Sequence, residues 1–325
     1  SNLTAAEGRS FAINSAGQVG SSGGDTYTHD GAGNLTTGSG GELTAAYSPT
    51  NQLTSLATRN SGTVSVTYDT VDQSQRAVVR TGATDQVLTN TAIGVTGVVT
   101  GGTRSVFVRD SAGGLVAQVT GGGEALYAVT DYQGSTLALV DGSQQEAARY
   151  SYTPYGTTTA TGRAAAGNPF RWIGQWQFAD AHGTYALGHR QHDPHLARFT
   201  QPDPSGQEPN PYAYGLANPV TNTDPTGLVT HSLSIEVCGG VCLGVGWAWD
   251  DTGKSGFIAN VGIGSGISGG YERTKGNITK GGSVYGKCTV GPFSEGFSAS
   301  RGEINHTAGY GRPGVGCSAG IQAQG

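Results

Sequence analysis

Methionine is absent from the 325 residues, and charged side chains make up only 13% of them. Residues 1–228 contain neither lysine nor cysteine. No run of 18 apolar residues occurs, which excludes a membrane-spanning helix, and no signal-peptide pattern opens the chain. Leu, Lys and Glu are too scarce for a helical bundle. A net charge of -5 argues against a nucleic-acid-binding surface. The missing initiator Met leads us to expect a piece processed out of a longer polypeptide. What is abundant is Gly, at 56 residues, with Thr and Ser. Val, Ile, Tyr and Trp recur at short intervals, so the chain should fold as a soluble, turn-rich, mostly β protein.

Residue usage changes near position 228. The first part has 11 Arg against 17 acidic residues, whereas residues 229–325 hold all four Lys, three Arg and six acids. All four cysteines, Cys238, Cys242, Cys288 and Cys317, lie in that tail. Three segments are expected: 1–149, 150–228 and 229–325.

The first segment is a degenerate repeat. Tyr27-Thr28-His29-Asp30-Gly31-Ala32-Gly33-Asn34-Leu35 is one copy, and others begin at Tyr47, Tyr68, Val108 and Thr130. Each has an aromatic or β-branched approach, an Asp-centred turn, a Gly or Asn able to take positive φ, and an apolar-alternating return strand. Hairpins of this kind must stack side by side to bury their apolar face.

These copies resemble the YD repeats of the Rhs family, which includes teneurins and the C component of insecticidal ABC toxins. A longer resemblance follows in order: Tyr150-Ser151-Tyr152-Thr153-Pro154-Tyr155-Gly156, Asn168-Pro169-Phe170-Arg171-Trp172-Ile173-Gly174-Gln175, and Thr184 to Pro194. It continues through Ala197 to Gly206 and Asn210 to Pro219, and ends at Asp224-Pro225-Thr226-Gly227-Leu228. It implies a β-sheet shell, here a segment of one, whose core plugs an end and encloses a C-terminal effector. It further implies aspartyl-type self-cleavage after the final Gly-Leu, at Leu228–Val229. The family's two Asp-Pro-x-Gly elements map onto Asp203 and Asp224, and its upstream Arg onto Arg190. The implied partners are the rest of the shell, a secretion apparatus or immunity protein, and a target-cell surface or membrane. The implied location is outside a bacterial cell, by secretion or delivery.

The chemistry of the pair is sound. Amide hydrolysis by two carboxyls needs one to activate water and one to protonate the carbonyl oxygen, and a nearby Arg holds a carboxylate ionised. Asp-Pro-x-Gly is equally good turn chemistry, since Pro fixes φ and Gly permits positive φ. The surrounding pattern favours catalysis. Asp193 before Pro194 should cap a turn. His182, His189, His192 and His195 read as polar lining of the core rather than metal ligands, because strand positions three apart face opposite ways. Trp172 and Trp176 should pack the plug. Asp251-Thr252-Gly253-Lys254-Ser255 ends like a phosphate loop but lacks its first Gly, having Ala248 there, and reads as a hairpin turn. No cofactor is implied.

In the tail, Leu233, Ile235 and Val237 alternate, then Val241, Leu243, Val245, Trp247 and Trp249 alternate after Gly239-Gly240. This predicts a hairpin with a Gly-Gly turn. A second hairpin is predicted from Phe257–Ile267 and Ser283–Val290, with the whole forming a small antiparallel barrel or sandwich. The four cysteines allow up to two disulfides in three connectivities. His231, Glu236, Glu303 and His306 are the acid–base candidates, and their spacing marks no site. An effector, a module that binds a surface ligand, and a pore-forming tail remain open.

Overall fold

The computed structural model describes residues 3–324 except 39–42, 59–61, 71, 112, 179–182, 205–209, 221–222, 225–228, 251–254, 276–280 and 301–302. Beyond Asp224 it describes side chains only at 235, 237–247, 257, 259, 261 and 263. The chain divides into two compact units, Ser1–Gly227 and Leu228–Gly325.

The first unit opens with a four-stranded sheet, Ala5–Ala6 to Asp25–Thr26. A 14-stranded antiparallel meander follows, running in strict sequence order from Thr28–His29 to Thr158–Thr161. It passes beyond residue 149 and takes in Tyr150 and Tyr152. A small sheet of Trp176–Phe178, Thr184–Leu187, Arg190–Asp193 and Arg198–Phe199 completes the unit.

A recurring five-residue turn, together with two-residue turns such as those between Thr81 and Thr84 and between Thr100 and Thr103, builds the meander. At Asp131 the backbone N–H donates to the Ser135 carbonyl, and the Gly134 N–H donates back to the Asp131 carbonyl. The Asp131 carboxylate takes the amides of Gln133 and Ser135 at 2.9 and 2.8 Å. Asp30 and Asp141 do the same in their turns. In these five-residue turns the fourth residue has positive φ: Gly33 91°, Asn51 61°, Gly113 85°, Gly134 87°, Gln144 63°. A residue of this conformation after a tight turn produces a bulge, which sharpens strand twist. The registers shift accordingly beside the turns, as at Val129/Thr130 and Leu139/Val140.

Consecutive repeats are also tied by side-chain rungs. Tyr47 Oη donates to the Leu35 carbonyl (2.9 Å), Tyr68 Oη to Leu53 (3.0 Å) and Tyr152 Oη to Thr136 (2.5 Å). Where Tyr is missing, other donors take its place. Asn90 Nδ2 donates to Arg76 O (2.8 Å), and Arg109 Nε to Val95 O (2.8 Å). One face of the sheet buries Leu35, Leu53, Val64, Val79, Phe107 and Leu115, against which Phe170, Trp176, Phe178 and Leu196 of the plug pack.

The second unit is an open sheet of four long strands: Val229–Asp250, Ser255–Lys275, Gly281–Ser300 and Glu303–Gln324. Their spatial order is first, second, fourth, third, so the sheet is not a closed barrel. Two expectations are corrected. Gly239-Gly240 does not separate two paired strands, since Val229–Asp250 pairs along its length with Ser255–Lys275. Directly opposite residues share a face. A Gly-Gly hairpin would set Val237 and Ile235 against Cys242 and Gly244, whereas the observed register matches Val241 with Ile263 and Leu243 with Val261. The second strand, moreover, pairs with Glu303–Gln324 rather than with the strand containing Ser283–Val290. The first strand buckles at Gly239-Gly240, where a disulfide joins Cys238 to Cys242 with Cα atoms 4.0 Å apart. Straight strand would separate them by about 13 Å. Cys288 and Cys317 stand opposite one another in register.

Candidate functional site

The plug is seated on turns of the opening sheet and of the meander. Arg198 Nη1 donates to Gly17 O (2.7 Å), Tyr212 Oη to Gly33 O (2.7 Å) and Gln201 Nε2 to Asn51 O (3.3 Å). Each acceptor belongs to the positive-φ residue of a turn. The Leu35 N–H also donates to Thr200 O (2.8 Å). These turns therefore fix where residues 198–201 and Tyr212 lie.

Within that frame, Arg190 ends buried, its side chain 3% exposed. Its Nη2 donates to Asp224 Oδ2 at 3.0 Å, and its Nη1 lies 3.4 Å from Asp203 Oδ2. The guanidinium carbon sits 3.6 Å from the centroid of the Phe199 ring, which covers one face of the cation. Asp203 and Asp224 are both buried. Two carboxylates far apart in sequence thus meet on one cation, out of water, where electrostatic coupling is stronger than at a surface.

Backbone contacts hold the pair. The Asp203 N–H donates to the Pro211 carbonyl (2.7 Å), to which Arg190 Nη1 also donates (3.4 Å). The Asp224 N–H donates to Tyr214 Oη at 3.2 Å. Tyr214 is fully buried, and burial pushes its phenol well above the usual range. Sequence reasoning passed over Phe199, Pro211 and Tyr214. The segment Asn210-Pro211-Tyr212-Ala213-Tyr214 had marked the place without showing these roles.

His192 is fully buried and stacks on Trp172, with ring centroids 4.9 Å apart at 28°. It hydrogen-bonds Tyr155 O through Nε2 (2.8 Å), and its Nδ1 has no partner. Burial lowers its pKa to about 4, so the ring is neutral and part of the core. Asp193 Oδ1 accepts the amides of His195 and Leu196, a turn cap. Trp172 and Trp176 are both buried. His182, Leu228 and the 251–254 turn lie outside the described residues, as do the side chains of Val229, His231, Glu236, Glu303, His306, Cys288 and Cys317. Among the described residues no helix is long and apolar enough to cross a membrane.

A meander of bulged Asp turns, linked by side-chain rungs and seating a buried plug, defines a YD-repeat shell segment. The teneurin YD-shell family matches residues 2–212, and the chain belongs to it. This makes it an Rhs/YD-repeat protein. Among curated relatives, it is 34% identical over 139 residues to salivary gland surface protein 1 of Aedes aegypti. That match covers 37% of this chain and 4% of the relative. It is 33% identical over 102 residues to the tRNA nuclease WapA of Bacillus subtilis strain 168, covering 29% of this chain and 4% of that protein. The chain thus spans only a small part of either relative. Among solved structures, the TcdB2-TccC3-TEV crystal structure is similar with a TM-score of 0.49 at 19% identity. The likeness covers 67% of this chain and 13% of that one.

Proposed function

We propose that the chain is the C-terminal region of a polymorphic toxin delivered outside the producing cell, in which a self-cleaving plug frees residues 229–325 as effector. Asp203 and Asp224 carry the reaction, Arg190 orients them, and the Leu228–Val229 bond is cut. The observation behind this reading is the single buried guanidinium that gathers both carboxylates. Turn chemistry alone would leave Asp203 and Asp224 capping separate loops at the surface. In the reaction one carboxylate takes a proton from water while the other, protonated, donates to the Leu228 carbonyl oxygen. Water oxygen bonds to that carbon; the carboxyl that took water's proton gives it to the Val229 nitrogen as the C–N bond breaks, so Val229 leaves as an amine, and the other carboxylate regains its proton as the Leu228 carboxyl forms. Arg190 offsets the negative charge of the pair throughout. The family match to a YD shell, and relatives that include a tRNA nuclease, support the toxin assignment.

The test is a denaturing gel of the parent chain with Asp203→Asn and Asp224→Asn. Two pieces from the parent and one whole chain from each variant are expected. An intact parent, or variants cut like it, would overturn the reading.

A further inference from the structure

The described part of the tail is apolar on the wrong side for a lone soluble sheet. Val241, Leu243, Val245 and Trp247 of the first tail strand are exposed, as are Phe257, Val261 and Ile263 of the second. Leu243 is 64% exposed and Ile263 72%. They stand opposite one another: Val241 with Ile263, Leu243 with Val261, Val245 with Ala259, Trp247 with Phe257. The other face of the same rungs carries Cys242, Gly244 and Gly246, opposite Gly262, Asn260 and Ile258. On the first strand these are small residues, so among the described side chains the apolar bulk lies on the Val241–Ile263 face. Such a continuous patch is far larger than scattered surface residues present.

Charge is arranged to match. Residues 237–249 and 255–271 contain no charged side chain; in sequence the first run is bounded by Glu236 and Asp250, and the second is followed by Glu272 and Arg273. No charge therefore falls on the rungs Val241–Trp249, as a strand pair in hydrocarbon requires. The nine positions Val241–Trp249, paired with Ser255–Ile263, also meet the roughly 9–11 residues a tilted membrane strand needs. Trp247 and Phe257 lie toward the Asp250 end of these rungs, where aromatic residues border a bilayer.

We infer that this hairpin inserts into a lipid bilayer through its Val241–Ile263 face and forms a pore with further copies. The association is required, because Val229–Asp250 and Gly281–Ser300 are sheet edges and unpaired backbone is not tolerated in hydrocarbon. Four strands are too few to close, so at least two copies must join. The inference deepens the proposed function by giving the freed tail its target. It does not depend on the cut, which is read separately.

The test uses the whole chain with phosphatidylcholine–phosphatidylglycerol vesicles loaded with self-quenched dye, and intact mass on the same samples. The parent should float with vesicles and release dye. Leu243→Arg with Val261→Arg, at positions already exposed, should lower release about tenfold or more. Val129→Arg, on the exposed face of the 14-stranded sheet, should not. Absence of flotation or release, or undiminished release by the double variant, would overturn the inference. So would chain dimerisation in vesicle-free solution abolished by the same pair, which assigns the face to a second copy. Mass read in parallel reports the cut separately, so the two readings fail independently.

Discussion

Acidification should loosen the plug through His192. The ring is fully buried on Trp172, donates from Nε2 to Tyr155 O, and has no partner for a proton on Nδ1. Desolvation is the main cause of its lowered pKa, with Arg190 adding a smaller repulsion and Asp193 and the Tyr155 carbonyl opposing. The unfolded state therefore binds this proton near pH 6.5 and the folded state only near pH 4. Stability from this group is complete above pH 6.5 and falls as pH drops toward 4. At 1.36 kcal/mol per pH unit below 6.5, about 2.5 kcal/mol is lost between pH 7 and pH 4.5. Urea unfolding followed by Trp fluorescence at those two values measures the total change. His192→Leu removes the titration, leaving the Tyr155 carbonyl unpaired at a cost of about 1–3 kcal/mol at neutral pH. The difference in pH slope between parent and variant isolates His192. Equal slopes would refute the argument.

Arg109→Leu should destabilise the chain by about 3 kcal/mol, because the Val95 and Gly113 carbonyls lose a charged donor and Phe170 loses its stacked cation; a urea midpoint unchanged from the parent would show the rung to be idle. Asp131→Ala strips two amides of their acceptor and should cost about 1–2 kcal/mol by the same assay. At Gly156, φ is 93° and a Cβ would stand 2.7 Å from Trp172 Cδ2. Gly156→Ala should therefore cost about 2 kcal/mol or more and shift the Trp emission.

Local chemistry was legible in the sequence. The Asp turns could be read because the cap, the positive-φ residue and the return strand all lie within five residues, as at Asp30 to Asn34. The rungs at Asn90 and Arg109 could not, since they keep the geometry of Tyr68 with unrelated side chains. The plug strands hid themselves differently. Thr184–Leu187 and Arg190–Asp193 are buried at every position, so they show no alternation of polar and apolar residues. The tail was misread at Gly239-Gly240 because a turn signal is local, whereas the pairing that wins depends on matching apolar residues across strands. Arg190, Asp203 and Asp224 were named by resemblance. Their meeting depends on Pro211, Tyr214 and Phe199, whose contributions are contacts made only in the fold.

The most direct test of the central claim is intact mass of the denatured chain after folding in 18O-enriched water. Self-hydrolysis predicts two species dividing between Leu228 and Val229, with one 18O atom at the new Leu228 carboxyl and none in Asp203→Asn, which stays whole. A single uncut mass from the parent, or a division at another bond, would contradict it.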